Sequence, residues 1–283
     1  MAKKPKKASG KNAAVAKRPS RPRLTSRELN EILTFAKGLA RAAGALAMSY
    51  YGRANPTLRY DHDLVTEADL ALQDYIRKEV AASYPDHQFQ GDRRRTASGR
   101  EPQSPIWVID PLDGSAGFSA GMPVWAVCLA LFDGGKPVLG VVHLPVTGEL
   151  YSATSKTPAM VNDREIEVLD QAMDNESLLL TYSRFHADYV THLTGKVRSL
   201  GSTAAHIAYV ARGAASGAIL GNVHVWDVAA GLVVLEAAGG AIRTAGGKKV
   251  DLADYLSGEK LDEVLIAAPM GLHREIADLL EPR

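Results

Sequence analysis

The stretch Trp107-Val108-Ile109-Asp110-Pro111-Leu112-Asp113-Gly114-Ser115 decides how the chain is read. A short apolar strand, Ile106 to Ile109, runs into two aspartates three positions apart with a proline between them. Pro111 has a fixed φ and no N–H, so the strand's ladder is predicted to stop before it. Both carboxylates can then turn toward one point at the strand's end, the oxygen-rich arrangement that hard divalent cations such as Mg²⁺ favour. Gly114 lets the backbone approach a ligand, and a helix starting after Ser115 would offer its free N–H groups to a phosphate. The same residues also read as a strand followed by an Asp-Pro turn, because Asp, Pro and Gly are common turn formers. The spacing of two aspartates does not choose between these readings.

Working outward, the neighbouring segments predict a sheet. Val124 to Phe132, the turn Asp133-Gly134-Gly135, and Pro137 to Leu144 form a hairpin, and Leu150 to Ala153 returns after a second turn. Upstream are two helices, each opened by a capping box: Thr25-x-x-Glu28, followed by Leu29, Ile32, Leu33, Ala36, Leu39, Ala40 and Ala43 at helical spacing, and Thr66-x-x-Asp69, which runs until Pro85. Downstream the pattern alternates. Strands are predicted at Leu178 to Tyr182, Ser216 to Leu220, Ala241 to Thr244 and Val264 to Ala268, and helices at Thr203 to Arg212, Asp227 to Ala238 and Leu272 to Leu280. An antiparallel first half followed by an alternating second half gives an α+β class: an N-terminal antiparallel lobe over 25–154 and a C-terminal α/β lobe over 155–283.

Residues 1–24 stand apart. Nine Lys and Arg and no acidic residue lie within the first 23 positions; without those nine, 24 basic side chains face 32 acidic ones, a balance of −8 for the body. This arm is rich in Lys, Ala, Ser and Pro and poor in large apolar residues, so it is expected to be disordered. A solvated tail suits it better than an organellar transit peptide or a nucleic-acid-binding segment. No apolar run reaches the roughly 18 residues that a membrane span needs, which argues against a membrane protein. The single cysteine, Cys128, lies in an apolar run and reads as a small core residue, and a chain that cannot form an internal disulfide fits a cytoplasmic setting.

Three further features favour chemistry over turn-making. Trp226-Asp227-Val228-Ala229-Ala230-Gly231 opens a helix with an aspartate and closes it at Glu236-Ala237-Ala238-Gly239-Gly240. Asp63-Leu64-Val65-Thr66-Glu67-Ala68-Asp69 puts a carboxylate in a helix's first turn, and Gly201-Ser202-Thr203-Ala204 opens another helix. Each alone reads as capping, which the helix dipole already favours. Jointly they supply carboxylates and anion-binding helix ends, the parts of a metal-assisted phosphatase.

In these motifs, and in their order, the chain resembles the inositol monophosphatase family of magnesium-dependent, lithium-sensitive phosphatases, over about residues 26–280. The resemblance implies a layered αβαβα sandwich of the sugar-phosphatase type, a homodimer, and Mg²⁺-assisted in-line hydrolysis of a small phosphorylated substrate. It implies that Asp110, the carbonyl of Leu112, Asp113 and Asp227 hold metal. Asp69 and Ser115 would orient or deprotonate the attacking water, the Gly114 and Ser115 amides would hold the phosphate, and Gly201, Ser202 and Thr203 would line the side of the leaving alcohol, with Asp227 also facing substrate.

The chain departs from the family's pattern at two places. Where the family has Gly-Glu-Glu, with the first Glu a metal ligand and part of the catalytic set, Gly91-Asp92-Arg93-Arg94-Arg95 stands here, one methylene shorter and with charge reversed at the second position. Where members that act on polyol phosphates carry a Glu seven residues before the Trp-Asp aspartate, Leu220 stands here. Inositol phosphate, histidinol phosphate, a sugar bisphosphate and a nucleotide 3′-phosphate all stay open as substrates. A binding or regulatory protein with weakened catalysis, acting through the basic arm, is the alternative. His62, His143, His206 and His224 lack metal-ligand spacing and read as structural, with His224 the one nearest a motif; Trp107 and Trp226 read as core anchors.

Overall fold

The computed structural model describes residues 23–53, 58–60, 63–91, 104–192 and 195–283. Helix α1 (Ser26–Met48) starts at the expected capping box, with Thr25 and Glu28 each accepting from the other's backbone. Its buried stripe includes Leu29, Ile32, Ala36, Leu39, Ala40 and Ala43. The expected arm over 1–24 lies outside the described residues up to position 22, and its last two residues are held: the Leu24 N–H donates to Asp133 at 2.9 Å, and the Arg23 guanidinium to the Gly134 carbonyl at 3.0 Å. A small antiparallel pair, β1 (Leu58–Tyr60) and β2 (Asp63–Val65), leads into α2 (Glu67–Ser83), again with its capping box in place at Thr66 and Asp69.

The next elements are β3 (Gln88–Gly91), β4 (Ile106–Asp113), α3 (Ser115–Ser119), β5 (Ala126–Asp133), β6 (Lys136–Leu144), β7 (Glu149–Thr154), β8 (Met160–Val161) and β9 (Arg164–Glu165). The strands form a seven-stranded sheet in chain order, antiparallel throughout except for the parallel β3–β4 pair. Then come β10 (Leu178–Thr181), α4 (Phe185–Asp188), β11 (Tyr189–Thr191), β12 (Lys196–Arg198), α5 (Thr203–Ala211), β13 (Gly217–Leu220), α6 (Val225–Ala237), β14 (Gly240–Thr244), β15 (Leu265–Pro269), α7 (His273–Asp278) and β16 (Leu280–Pro282). Five of these strands form a mixed sheet of order β12-β10-β13-β15-β14, parallel across its first three strands and antiparallel across its last three. The alternation read from the sequence therefore becomes a parallel half-sheet, because β14 and β15 are joined without a crossover helix.

Two-residue alternation in the strands builds the layers. On β4 and β5, Trp107, Ile109, Val127, Leu129 and Leu131 pack with α1 and α2. Val108, Cys128, Ala130 and Phe132 face the other way, into a core shared with α5, α6 and Leu180, Ala218, Leu220 and Ala267 of the second sheet. Leu179, Ile219 and Ile266 point out of that sheet's far side, against Phe185 and Ile276. Helices, sheet, helices, sheet and helices alternate, as the αβαβα sandwich requires. Cys128 is 1% exposed, as a small core residue should be. Among the described residues no helix is long and apolar enough to cross a membrane.

Candidate active site

β4 does not stop at Ile109; it continues through Pro111 to Asp113. The pairing with β5 steps from Asp110↔Cys128 to Asp113↔Ala126, so Pro111 and Leu112 together oppose Val127 alone. That is a β-bulge, one of the few places a sheet interior accepts proline. The extra residue matters for chemistry. In a regular strand, residues three apart point to opposite faces; with one inserted, Asp110 and Asp113 reach the same side. Asp110 Oδ1 accepts the Leu112 N–H at 3.0 Å, which holds the bulge in shape.

Gly114 follows with φ +93°, a left-handed conformation that the missing Cβ makes easy. A side chain there would meet the Gly201 carbonyl at 3.0 Å. α3 begins at Ser115, whose hydroxyl has two acceptors, Asp69 Oδ1 at 3.0 Å and the Leu112 carbonyl at 2.9 Å. Asp69 is 2% exposed, and its second oxygen takes the Thr66 N–H at 2.7 Å and hydroxyl at 2.6 Å. One carboxylate thus caps α2 with one oxygen and steers Ser115 with the other.

Asp113 reaches across to the second sheet's helices. It accepts from the Ser202 hydroxyl, from the Ala204 N–H at 2.7 Å and from the Thr203 N–H at 3.2 Å. Burial raises the Asp113 carboxyl above the usual range, and these three bonds pull the other way. Ser202, expected to line the leaving-group side, is 1% exposed and turned inward as the α5 cap, where its oxygen also accepts the Ala205 N–H. Gly201 and Thr203 do line the cleft. Asp227 sits in the first turn of α6, capped reciprocally with His224, whose ring stacks on Trp226 at 4.5 Å between centroids. The cleft, of about 570 Å³, has Asp110, Leu112, Asp113, Gly114 and Ser115 on one wall and Asp227, His224 and Trp226 beside them. Tyr182, Ser183, Arg184 and Asn222 form a wall that the sequence reading did not foresee. Parallel strands β10 and β13 both end there, which is where open sheets bind ligands.

The carboxylates that line the cleft suit a hard cation such as Mg²⁺, and Asp113's burial is a cost that such a charge would offset. Among the described residues no three His, Cys, Asp or Glu side chains close tightly on one point. Asp92, the remaining expected ligand, lies outside the described residues, as do Arg93, Arg94, Arg95 and His62.

His206 supplies a positioning contact that the sequence did not reveal. Its ring is 3% exposed, and Nε2 accepts the Leu200 N–H at 3.0 Å, just before Gly201. The proton is therefore on Nδ1, and the ring is neutral. Burial lowers its pKa to about 4. The unfolded chain binds this proton below about 6.5 and the native one does not until about 4, so stability falls as pH drops through that window. His206→Gln keeps an acceptor and does not titrate. Relative to it, the wild type is expected to lose about 3 kcal/mol of unfolding free energy between pH 7 and 4. Urea titrations at both pH values check this; a pH-independent difference would show that the ring is not held neutral.

Known proteins resemble this chain in sequence and in fold. The Inositol monophosphatase family model matches residues 28–280. A fructose-1,6-bisphosphatase/inositol-1-monophosphatase of Thermotoga maritima is 31% identical over 226 residues, covering 77% of this chain and 87% of the relative. The Nus factor SuhB of Pasteurella multocida is 29% identical over 268 residues, 90% of this chain and 97% of the relative. Among solved structures, a Thermotoga maritima IMPase superposes with a TM-score of 0.74 at 27% identity, over 88% of this chain and 96% of that one. The match runs from α1 to β16 and takes in the bulge and the α6 aspartate alike: the chain belongs to the inositol monophosphatase family.

Proposed function

We propose that this chain is a magnesium-dependent, lithium-sensitive phosphatase acting on small phosphate monoesters. The observation that carries the reading is the bulge at Pro111 and Leu112, which turns Asp110 and Asp113 to one side next to the Asp69–Ser115 pair. The substrate phosphate rests on the Gly114 and Ser115 amides at the start of α3. Ser115 donates its hydroxyl proton to Asp69, so its lone pairs accept a hydrogen from the incoming water. As water attacks in line with the bond to the alcohol, that proton passes through Ser115 to Asp69. The P–O bond to the alcohol breaks as the new one forms, and the alkoxide leaves toward Gly201 and Thr203, taking a proton from solvent at the open cleft. Asp110, the Leu112 carbonyl, Asp113, Asp227 and Asp92 would hold Mg²⁺, which when bound neutralises phosphate charge and makes water acidic enough to attack near neutral pH.

The test is phosphate release from a panel of monoesters and bisphosphates with Mg²⁺, with chelator and with Li⁺ added. Turnover that needs Mg²⁺ and falls with Li⁺ is the expected result. Folded protein that releases phosphate from none of them sinks the reading.

A further inference from the structure

Among the described residues the cleft holds one arginine, and the reaction proposed above does not use it. Arg184 lies in the wall built by the ends of β10 and β13, with Tyr182, Ser183 and Asn222. Its backbone is fixed. The Phe185 N–H donates to the Tyr182 carbonyl at 3.1 Å and the Ala187 N–H to the Arg184 carbonyl at 2.8 Å. Phe185 is 5% exposed, edge-on to Tyr182 at 5.9 Å and stacked on Tyr189 at 5.6 Å. The Tyr182 ring lies so close to Gly221 that a Cβ there would stand 2.7 Å away. Its hydroxyl donates to Asp188 at 2.7 Å, which engages the nearest acid of the segment. Among the described residues no carboxylate forms an ion pair with Arg184.

Among the described residues four aspartates line this cleft, Asp110, Asp113, Asp188 and Asp227, and Arg184 stands exposed at its rim as the cation left open to an anionic ligand. Recognition of a neutral polyol would use a carboxylate on this wall. The position expected to carry one, Leu220, is 1% exposed and packed into the core. Asn222 comes to the cleft instead, with its amide oxygen taken by Lys260 Nζ at 2.7 Å, so its N–H donors are the groups left to a ligand. Lys260 also brings a second positive charge to that rim. A guanidinium, an amide N–H and a hydroxyl make a donor set for an anion, with Arg able to grip it by two parallel bonds.

We propose that Arg184, with Ser183 and Asn222, binds a second anionic group on the alcohol part of the substrate. The substrate is then a phosphate monoester whose alcohol carries another phosphate or a carboxylate. This rests on the phosphatase reading, and the two can fail separately.

The experiment compares kcat/KM of the full chain for fructose 1,6-bisphosphate, 6-phosphogluconate and glucose 6-phosphate, in wild type, Arg184→Ala and Arg184→Lys. Wild type is expected to favour one or both doubly anionic compounds over glucose 6-phosphate, and which one it favours separates phosphate from carboxylate as the second group. Arg184→Ala should cut that preference ratio by about ten- to a hundredfold, mostly through KM, and Arg184→Lys should recover part of it. A ratio that is the same in wild type and Arg184→Ala overturns the proposal. If wild type releases phosphate from none of the three, the phosphatase reading is decided by the wider panel above, and the second-anion site is judged by melting temperature with fructose 1,6-bisphosphate. A rise in wild type that is lost in Arg184→Ala upholds the site; an equal rise in both, or none in wild type, overturns it.

Discussion

Asp110→Asn is expected to lower phosphate release by at least about a thousandfold while the fold stays intact. The change keeps the side chain's shape, and an amide oxygen can still accept the Leu112 N–H that Asp110 takes at 3.0 Å. The bulge should therefore persist, and with it the direction of Asp113. What is lost is one negative charge at a position 5% exposed, in the wall where a divalent cation would sit. Losing several kcal/mol of charge stabilisation in the transition state corresponds to about three powers of ten in rate. Removing a buried carboxylate relieves desolvation, so the melting temperature should hold or rise. Asp113→Asn would be a poorer test: its amide would turn N–H groups toward the donors of Ser202, Thr203 and Ala204, mixing lost stability with lost chemistry. Normal turnover in a folded Asp110→Asn enzyme would refute the assignment of this wall.

How far the sequence revealed this site depends on how local each feature is. The capping boxes at Thr25 and Thr66 were legible because a cap is settled within four residues. The first sheet's hairpin was legible because glycines and alternation meet at Gly134. The bulge was read backwards. Pro111 signalled the end of a ladder, whereas the partner strand accommodates it by skipping a residue, a decision made by β5 and invisible in β4 alone. The resemblance put Ser202 with Gly201 and Thr203 on the leaving-group side; its hydroxyl bonds Asp113, 89 positions away. Arg184 carried no local signal, since its place in the cleft comes from the parallel pairing of β10 with β13. The two- and three-residue strands β8, β9, β11, β12 and β16 are too short for any period to show.

α6 held a clue that periodicity alone does not weigh. Val225, Trp226, Val228, Ala229, Ala230, Leu232, Val233, Val234 and Leu235 are buried on every side of it. A helix apolar all round is a buried one, and here it lies between two sheets with Asp227 at its mouth. The small residues of the first sheet's inner face, Ala126, Cys128, Ala130 and Ala153, belong to the same core and let it come close.

Gly140→Ala should destabilise the protein by at least about 3 kcal/mol, toward the upper end of what overpacking does to a core. Gly140 lies in β6 under α6, and a Cβ there would stand 2.2 Å from the Ala230 carbonyl oxygen and 3.0 Å from Val233. The first of those atoms is helix backbone, so no side-chain rotation relieves the clash. α6 has nowhere to retreat, because Ala218, Leu220 and Leu265 of the second sheet share its core. The inner helix would have to shift along or away from β6, and Asp227 is in its first turn. Loss of stability and loss of activity should therefore come together, the remaining activity needing more Mg²⁺. Gly38→Ala is the control: it sits in α1 with nothing within 4 Å of an added Cβ, and should gain about 0.5–1 kcal/mol from helix propensity. Urea unfolding of the three proteins, with Mg²⁺ titrations of activity, reads both effects. If Gly140→Ala matched wild type in stability, the close approach of helix and sheet would not be what sets the spacing of these layers, and the link from that spacing to Asp227 would fall with it.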